Sequence, residues 1–297
     1  MRICVIFNPT ARGEKAKRFR RHLDEIGAEC ALKQTVSAGG ARPLAAEAVR
    51  EGFETVIAAG GDGTLNEVLN GIGDVPDGFE RARLGVLPLG TVNVFAKELG
   101  MPAGLKQGWQ ILRAGNETRI DLPMVECVTN GAPCKRYFAQ LAGTGLDARA
   151  IELADWQLKK KLGPLAYVWA GVEAMRDKPS RVTATNGTHS ATGELVLIGN
   201  GCFYGGRYRL HPGADLRDGL LEVRVFPKAN WLTLVRCTGM FVARMNLPQG
   251  VAQSFQAKTL TLTSEAPTPI EVDGENIGHL PATFSIKQKA LRVVAPV

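Results

Sequence analysis

The 297-residue chain lacks the features of a membrane span, a disulfide scaffold or a zinc module. No apolar run approaches the roughly 18 residues that a membrane-spanning helix needs, so none is expected. The opening, "MRICVIFNPTARGEK", has neither a secretory signal core nor a cleavage site and reads as a first β-strand. The cysteines (Cys4, Cys30, Cys127, Cys134, Cys202 and Cys237) are scattered, with no CxxC pair and no matching histidine cluster. That pattern argues against a disulfide framework or a zinc site and for a reducing cytoplasm. Aromatic residues make up only 6%, too few for a single-stranded nucleic-acid platform, so no nucleic-acid partner is expected. Neither a Walker-type GxxxxGKS nor a GxGxxG followed by an acidic residue at Rossmann spacing occurs.

The remaining composition, 45% hydrophobic and 22% charged, is that of a soluble globular protein, and the length suits two domains. The net charge is +7 and the pI about 9.2. A basic surface attracts nucleic acid, anionic lipid headgroups or anionic cofactors without choosing among them. Basic residues gather in "KAKRFRRH" (Lys15 to His22) and at Lys159 to Lys161, where a solvated helix face is the simpler reading.

The first ~120 residues alternate between strand and helix, which predicts a mostly parallel sheet flanked by helices. "RICVIFN", "ECALKQT", "ETVIAAGG" and "RLGVLPLG" read as strands. Ala16, Phe19, Leu23 and Ile26 mark one helix face, and Leu44, Ala45, Ala48 and Val49 a second. From about Leu122 the texture changes to strands joined by Gly and Asn turns, including "PMVECVTNG", "CKRYFAQLAG" and "GLLEVRVF". This predicts a mainly antiparallel, sandwich-like second domain, interrupted by helices near Asp147 to Met175 and Asn230 to Arg244.

Chemistry concentrates at the carboxyl ends of the early strands, where open α/β sheets bind ligands. "AAGGDGTLNEVLNG" places Gly60, Gly61 and Gly63 around Asp62, directly before a helix whose Leu65, Val68, Leu69 and Ile72 share one face. Thr64 is expected to cap that helix, with Asn66, Glu67 and Asn70 on its polar side. A helix N-terminus behind a glycine loop is an anion site, although a plain strand-to-helix turn would use the same glycines. A second loop, "PLGTVNVFAKELG", repeats the logic with Gly90, Thr91 and Asn93, and the first strand ends at Asn8.

"GGDGTLNEVLNG" and "PLGTVNVFA" together resemble the catalytic domain of diacylglycerol kinases, in particular soluble bacterial lipid kinases related to them and to sphingosine kinases. NAD kinases and phosphofructokinases share a similar first loop. The later blocks "GTGLDARAIE", "YVWAG", "GNGCFYGGRYRLHPGADLRDGLLEVRVF" and "IEVDGENI" extend the resemblance over nearly the whole chain and are more specific.

The resemblance implies a nucleotide-binding α/β domain over residues 1–122, rejoined by a returning strand at 285–297, and a β-rich acceptor domain over 123–284. The implied activity is transfer of the γ-phosphoryl of ATP, with Mg²⁺, to a lipid hydroxyl, by a cytoplasmic enzyme that visits an anionic membrane surface. The implied ATP site comprises Asn8, Thr35, Gly60, Gly61, Asp62, Gly63, Thr64, Asn66, Glu67, Gly90, Thr91 and Asn93. The implied catalytic carboxylates are Glu275, Asp273 and Asp62, with Glu275 ranked above Asp62 as general base. "ADLRDGLLEV" resembles a structural Mg²⁺ segment in which Asp218, the Leu220 carbonyl and Asp215 would be ligands; a β-turn explains the same residues. Asp121 matches a further, supporting acid.

Family members commonly read GTxNDFAR, whereas this chain carries Val94 and Lys97 in place of the Asp and Arg. That departure weakens diacylglycerol as the specific acceptor. Phe138, Leu141, Trp169 and Phe203 are apolar candidates for an acceptor pocket, or equally core. A kinase of a soluble acceptor such as NAD, and a catalytically silent lipid- or nucleotide-binding regulator, are the alternatives. Oligomeric state is open, a homodimer being one option.

Overall fold

The computed structural model describes residues 2–9, 13–129, 131–145, 148, 180–206, 208–230, 233, 236, 237 and 250–296. The helices expected around 147–175 and 230–244, with Trp169, "YVWAG" and Lys159 to Lys161, lie outside or largely outside these residues.

The N-terminal half carries strands β1 (Ile3–Phe7), β2 (Ala31–Gln34), β3 (Thr55–Gly60) and β4 (Arg83–Pro88). Helices α1 (Glu14–Arg21), α2 (Leu23–Gly27), α3 (Ala41–Arg50), α4 (Asp62–Gly73), α5 (Gly78–Arg81), α6 (Val94–Glu98) and α7 (Leu105–Ala114) complete it. The strands pair in parallel in the order β4-β3-β1-β2. Val5, Ile6, Val56 and Ile57 are fully shielded because helices cover both faces of a parallel sheet. The single helix expected over Ala16 to Ile26 is two helices broken at His22, although Ala16, Phe19 and Ile26 do face the core.

Strands then dominate: β5 (Glu117–Thr129), β6 (Ala132–Tyr137), β7 (Leu141–Gly145), β8 (Val182–Thr185), β9 (Ser190–Gly193), β10 (Leu195–Gly199), β11 (Phe203–Tyr204) and β12 (Tyr208–Arg209). The last five are β13 (Leu221–Phe226), β14 (Gln253–Ala257), β15 (Thr259–Ser264), β16 (Pro269–Val272) and β17 (Glu275–Val294). Nearly all of these pair antiparallel, giving a second core that includes Phe138, Val223, Leu260 and Phe284. The architecture is an α/β domain followed by a mainly antiparallel β domain.

Two features bring the parts together at one edge. β17 starts as the partner of β16, runs along β5, and ends beside β4 in parallel register, with Val293 opposite Leu84. The stretch expected as one strand, "CKRYFAQLAG", instead breaks at Phe138–Gln140 between β6 and β7. That break exposes backbone amides which the site then uses.

Candidate active site

The two glycine loops touch through their backbones. A methyl group added to Gly90 would lie 2.6 Å from the Gly61 Cα, so only glycine fits where the β3 and β4 ends converge. Beside this contact α4 begins at Asp62, with Gly61 as its N-cap and no side-chain cap, so Thr64 does not take the capping role expected of it. Asn93 sits in the left-handed region (φ 51°) and folds back on its own loop: Gly90 N donates to its Oδ1, and its Nδ2 donates to Gly90 O. Such a local Asn turn holds the second loop against the first.

α4 is the hub of the site. Asp62 Oδ1 accepts the Phe95 N–H at 3.4 Å, so this carboxylate sits at the N-terminus of α6 and ties the two loops together. Glu67 does the same for α3, accepting the N–H of Gly39 (3.0 Å) and Ala41 (2.8 Å). Asn66 and Asn70, expected on a polar face, are buried at 0% and 1% exposure. Their burial is offset by hydrogen bonds to the frayed end of β6. Asn70 exchanges bonds with both Tyr137 N and Tyr137 O, and Asn66 donates to Tyr137 O and to Asp273 Oδ2.

The acidic hairpin arrives from far along the chain. Asp273 (φ 48°) and Gly274 (φ 87°) form the two-residue turn between β16 and β17, for which Asp-Gly is a strong signal. The turn backbone is partly open to solvent, while the Asp273 carboxylate points inward and takes four donors. Gln140 N (3.0 Å) and Leu141 N (3.1 Å) reach Oδ1; Ala139 N (2.7 Å) and Asn66 Nδ2 (2.9 Å) reach Oδ2. This turn is thereby fixed to the glycine-loop helix, and Glu275 follows it at the start of β17. Its Oε1 lies 3.7 Å from where a methyl on Gly63 would be, and its Oε2 pairs with Arg136 Nη2 at 3.2 Å.

Burial raises the affinity of all three carboxylates for a proton. Desolvation pushes Glu275 above the usual carboxylate range; Arg136 opposes this, and Glu67 and Asp273 reinforce it. Asp62 is raised by desolvation and by Asp273, against the amides at the start of α6. Asp273 is raised by burial despite its four donors. Because the Arg136 charge lowers the Glu275 pKa, Arg136→Gln is expected to raise the pH at which the Glu275 carboxyl titrates, as followed by NMR. A pH series on this variant, read beside the parent, checks the direction.

Other residues named from the sequence lie around this centre or away from it. Asn8 is exposed at the end of β1, and Thr35 is buried just beyond β2, where its N–H donates to Phe7 O. Thr91 is exposed on the second loop. Asp121 is fully buried and accepts the N–H of Gly219 (2.6 Å) and Lys289 (2.7 Å), joining the Asp215 to Leu220 segment to β17. Asp218 accepts Leu220 N and Asp215 accepts Arg217 N. Among the described residues no group of three or more His, Cys, Asp or Glu side chains is arranged to hold a metal ion. Phe138 is core, Leu141 lies in a separate buried cluster, and Phe203 is half-buried. Arg136 and the burial of Asn66 and Asn70 were not foreseen; the i, i+4, i+8 spacing of Asp62, Asn66 and Asn70 is the signal that they share one helix face.

Residues 2–125 match the family described as the diacylglycerol kinase catalytic domain. Residues 140–295 match the YegS C-terminal NAD kinase beta sandwich-like domain. Proteins named diacylglycerol kinase from Staphylococcus saprophyticus and Staphylococcus carnosus are each 30% identical, over 98% of this chain and 94% of theirs. The chain belongs to the diacylglycerol kinase family. It is therefore an enzyme of a lipid-kinase family, as the resemblance of its motifs implied. A crystal structure of a diacylglycerol kinase from Bacillus anthracis str. Sterne superposes with a TM-score of 0.73, covering 99% of this chain and 97% of the other. At 18% identity that likeness supports the fold.

Within this family frame, Val94 is the first residue of α6. An acid would ordinarily complement that helix end. Here Asp62 reaches over from the first loop to meet the same amides. Among the described residues no helix is long and apolar enough to cross a membrane.

Proposed function

We propose that this enzyme transfers the γ-phosphoryl group of ATP to the hydroxyl of a membrane lipid. The observation that carries the reading is the meeting of two glycine loops in backbone contact with a carboxylate, Glu275, delivered beside Gly63 by a rigid hairpin.

Phosphoryl transfer requires positioning and charge neutralisation more than covalent chemistry. Backbone amides at the start of α4, from Gly61 to Gly63, and of Thr91 hold the triphosphate, flanked by Asn8, Thr35, Thr64 and Glu67, while Gly60, Gly90, Asn66 and Asn93 shape the two loops through their own hydrogen bonds. Glu275 accepts the proton of the attacking hydroxyl. Asp273 acts as a positioning residue, because its oxygens are occupied by the amides that fix the turn. The domain division follows: residues 1–122 with 285–297 serve the nucleotide, and 123–284 the acceptor.

A divalent cation suits the donor set. Asp62 is a hard oxygen ligand in a pocket where desolvation and Asp273 leave it more basic than usual, an excess of negative charge that a cation relieves. Magnesium bound there would supply charge neutralisation for the phosphates. At the second acidic segment, Asp215, Asp218 and the Leu220 carbonyl offer oxygen ligands of the same kind, with Asp121 buttressing the segment. A chain with net charge +7 is suited to transient visits from the cytoplasm to an anionic bilayer.

Purified protein incubated with labelled ATP, Mg²⁺ and a total lipid extract is expected to yield a labelled lipid, identified by mass spectrometry. Label appearing on NAD instead would favour the soluble-acceptor alternative. ATP binding without transfer to any lipid would favour the silent regulator.

A further inference from the structure

Gln140 stands in the break between β6 and β7 and is buried, at 5% exposure. Its backbone N–H donates to Asp273 Oδ1 (3.0 Å), in the turn that carries Glu275. Its side-chain Nε2 donates in two other directions. One bond goes to Glu98 Oε2 (2.8 Å) on the last residue of α6, the other to Phe203 O (2.9 Å) in β11. We infer that Gln140 is a positioning residue: together with Glu98 it holds the helix of the second glycine loop, the β11–β12 hairpin and the Glu275 turn in one arrangement. The role rests on the lipid-kinase reading of the same site.

Glu98 Oε2 also accepts Phe203 N (3.0 Å), so Gln140, Glu98 and Phe203 close a ring of three hydrogen bonds between the α/β domain and the β domain. The two groups that face the Gln140 nitrogen, a carboxylate and a carbonyl, are both acceptors, which fixes the orientation of the amide. The carboxylate makes its bonds charge-assisted. The pair rests on the Gly201 backbone: a methyl there would lie 2.6 Å from Gln140 Nε2 and 2.7 Å from the Glu98 carboxyl carbon. At the other end of the five-residue α6, Phe95 N meets Asp62, so the position of Glu98 is linked to the first glycine loop. The hairpin that begins at Phe203 leans back over the second loop. A methyl on Gly206 would lie 3.9 Å from Val92 Cγ1 and 4.0 Å from Lys97 Nζ. One amide thus ties the donor loops, the hairpin above them and the turn that aims the base. Phosphoryl transfer depends on such alignment, since a misplacement of about 1 Å can cost about 10²-fold in rate.

Gln140→Leu keeps the backbone donor to Asp273 and removes both side-chain bonds. Its kcat for lipid phosphorylation, measured on the folded fraction, is expected to fall by about 10- to 100-fold, while the KM for ATP stays close to that of the parent. Glu98→Gln retains an oxygen where the two donors meet and should keep most of the turnover. Glu98→Ala should match Gln140→Leu, and the double variant should lose no more than either alone. Amide hydrogen exchange gives a readout that does not require transfer: a non-hydrolysable ATP analogue should slow exchange in β11 and β12 of the parent and not of Gln140→Leu. That protection in a parent that labels no lipid would support the link and count against the lipid acceptor. Folded Gln140→Leu with the kcat of the parent, additive losses in the double variant, or protection of β11 and β12 that survives the substitution overturns the proposal.

Discussion

Glu275→Gln is expected to lower kcat by about 10²- to 10⁴-fold, the usual contribution of a positioned general base. The replacement keeps the shape and removes only the ability to accept a proton. Its partner Arg136 is held through a half-buried pair, so stability should change little. The diagnostic readout is the pH profile. In the parent enzyme the acid limb is expected above the usual carboxylate range, because desolvation disfavours the charged form that the proposed base role requires. Activity therefore falls as pH drops through that raised value, and in Glu275→Gln this limb should vanish from the residual rate. Asp62→Asn provides the contrast. It disturbs the carboxylate that joins the two loops at α6, and the rate should fall steeply while the limb remains. A limb that survives in Glu275→Gln and disappears in Asp62→Asn would exchange the two roles.

The sequence makes some levels of this site legible and hides others, for definite physical reasons. The alternation of apolar strands with helical faces is local, so β1, β3, β4 and α4 are readable from spacing. The Asp-Gly turn is readable for the same reason, since few residue pairs accept two consecutive left-handed conformations. The buried side chains of Asn66 and Asn70 are different. A hydrophilic asparagine on a helix signals solvent unless something buried needs it, and the need arises from the outer edge of β6 at Tyr137, some seventy residues on. Arg136 is likewise invisible from its neighbours. Its role depends on Val125 lying opposite it in β5 and on the hairpin at 273–274 ending beside it, both long-range pairings. The same limit explains Cys127 and Cys134, which look scattered in the chain yet sit directly opposite one another on β5 and β6.

Asp273→Ala should be the most destabilising change at the site. The carboxylate is the common acceptor for Ala139 N, Gln140 N, Leu141 N and Asn66 Nδ2. Truncation leaves these donors facing a void, and a buried donor left without its acceptor typically costs about 1–3 kcal/mol. A left-handed φ of 48° adds a smaller penalty for alanine. Denaturant unfolding should show a lowered midpoint with an unchanged slope. Asp273→Asn separates the two causes, because asparagine tolerates the turn and retains one oxygen but turns an NH₂ toward two N–H donors. Its loss should lie between the parent and Asp273→Ala. Both variants should also lose turnover at temperatures where they remain folded, since the turn that places Glu275 beside Gly63 is no longer tied to α4. Full activity in folded Asp273→Ala would mean that Glu275 is positioned by Arg136 alone.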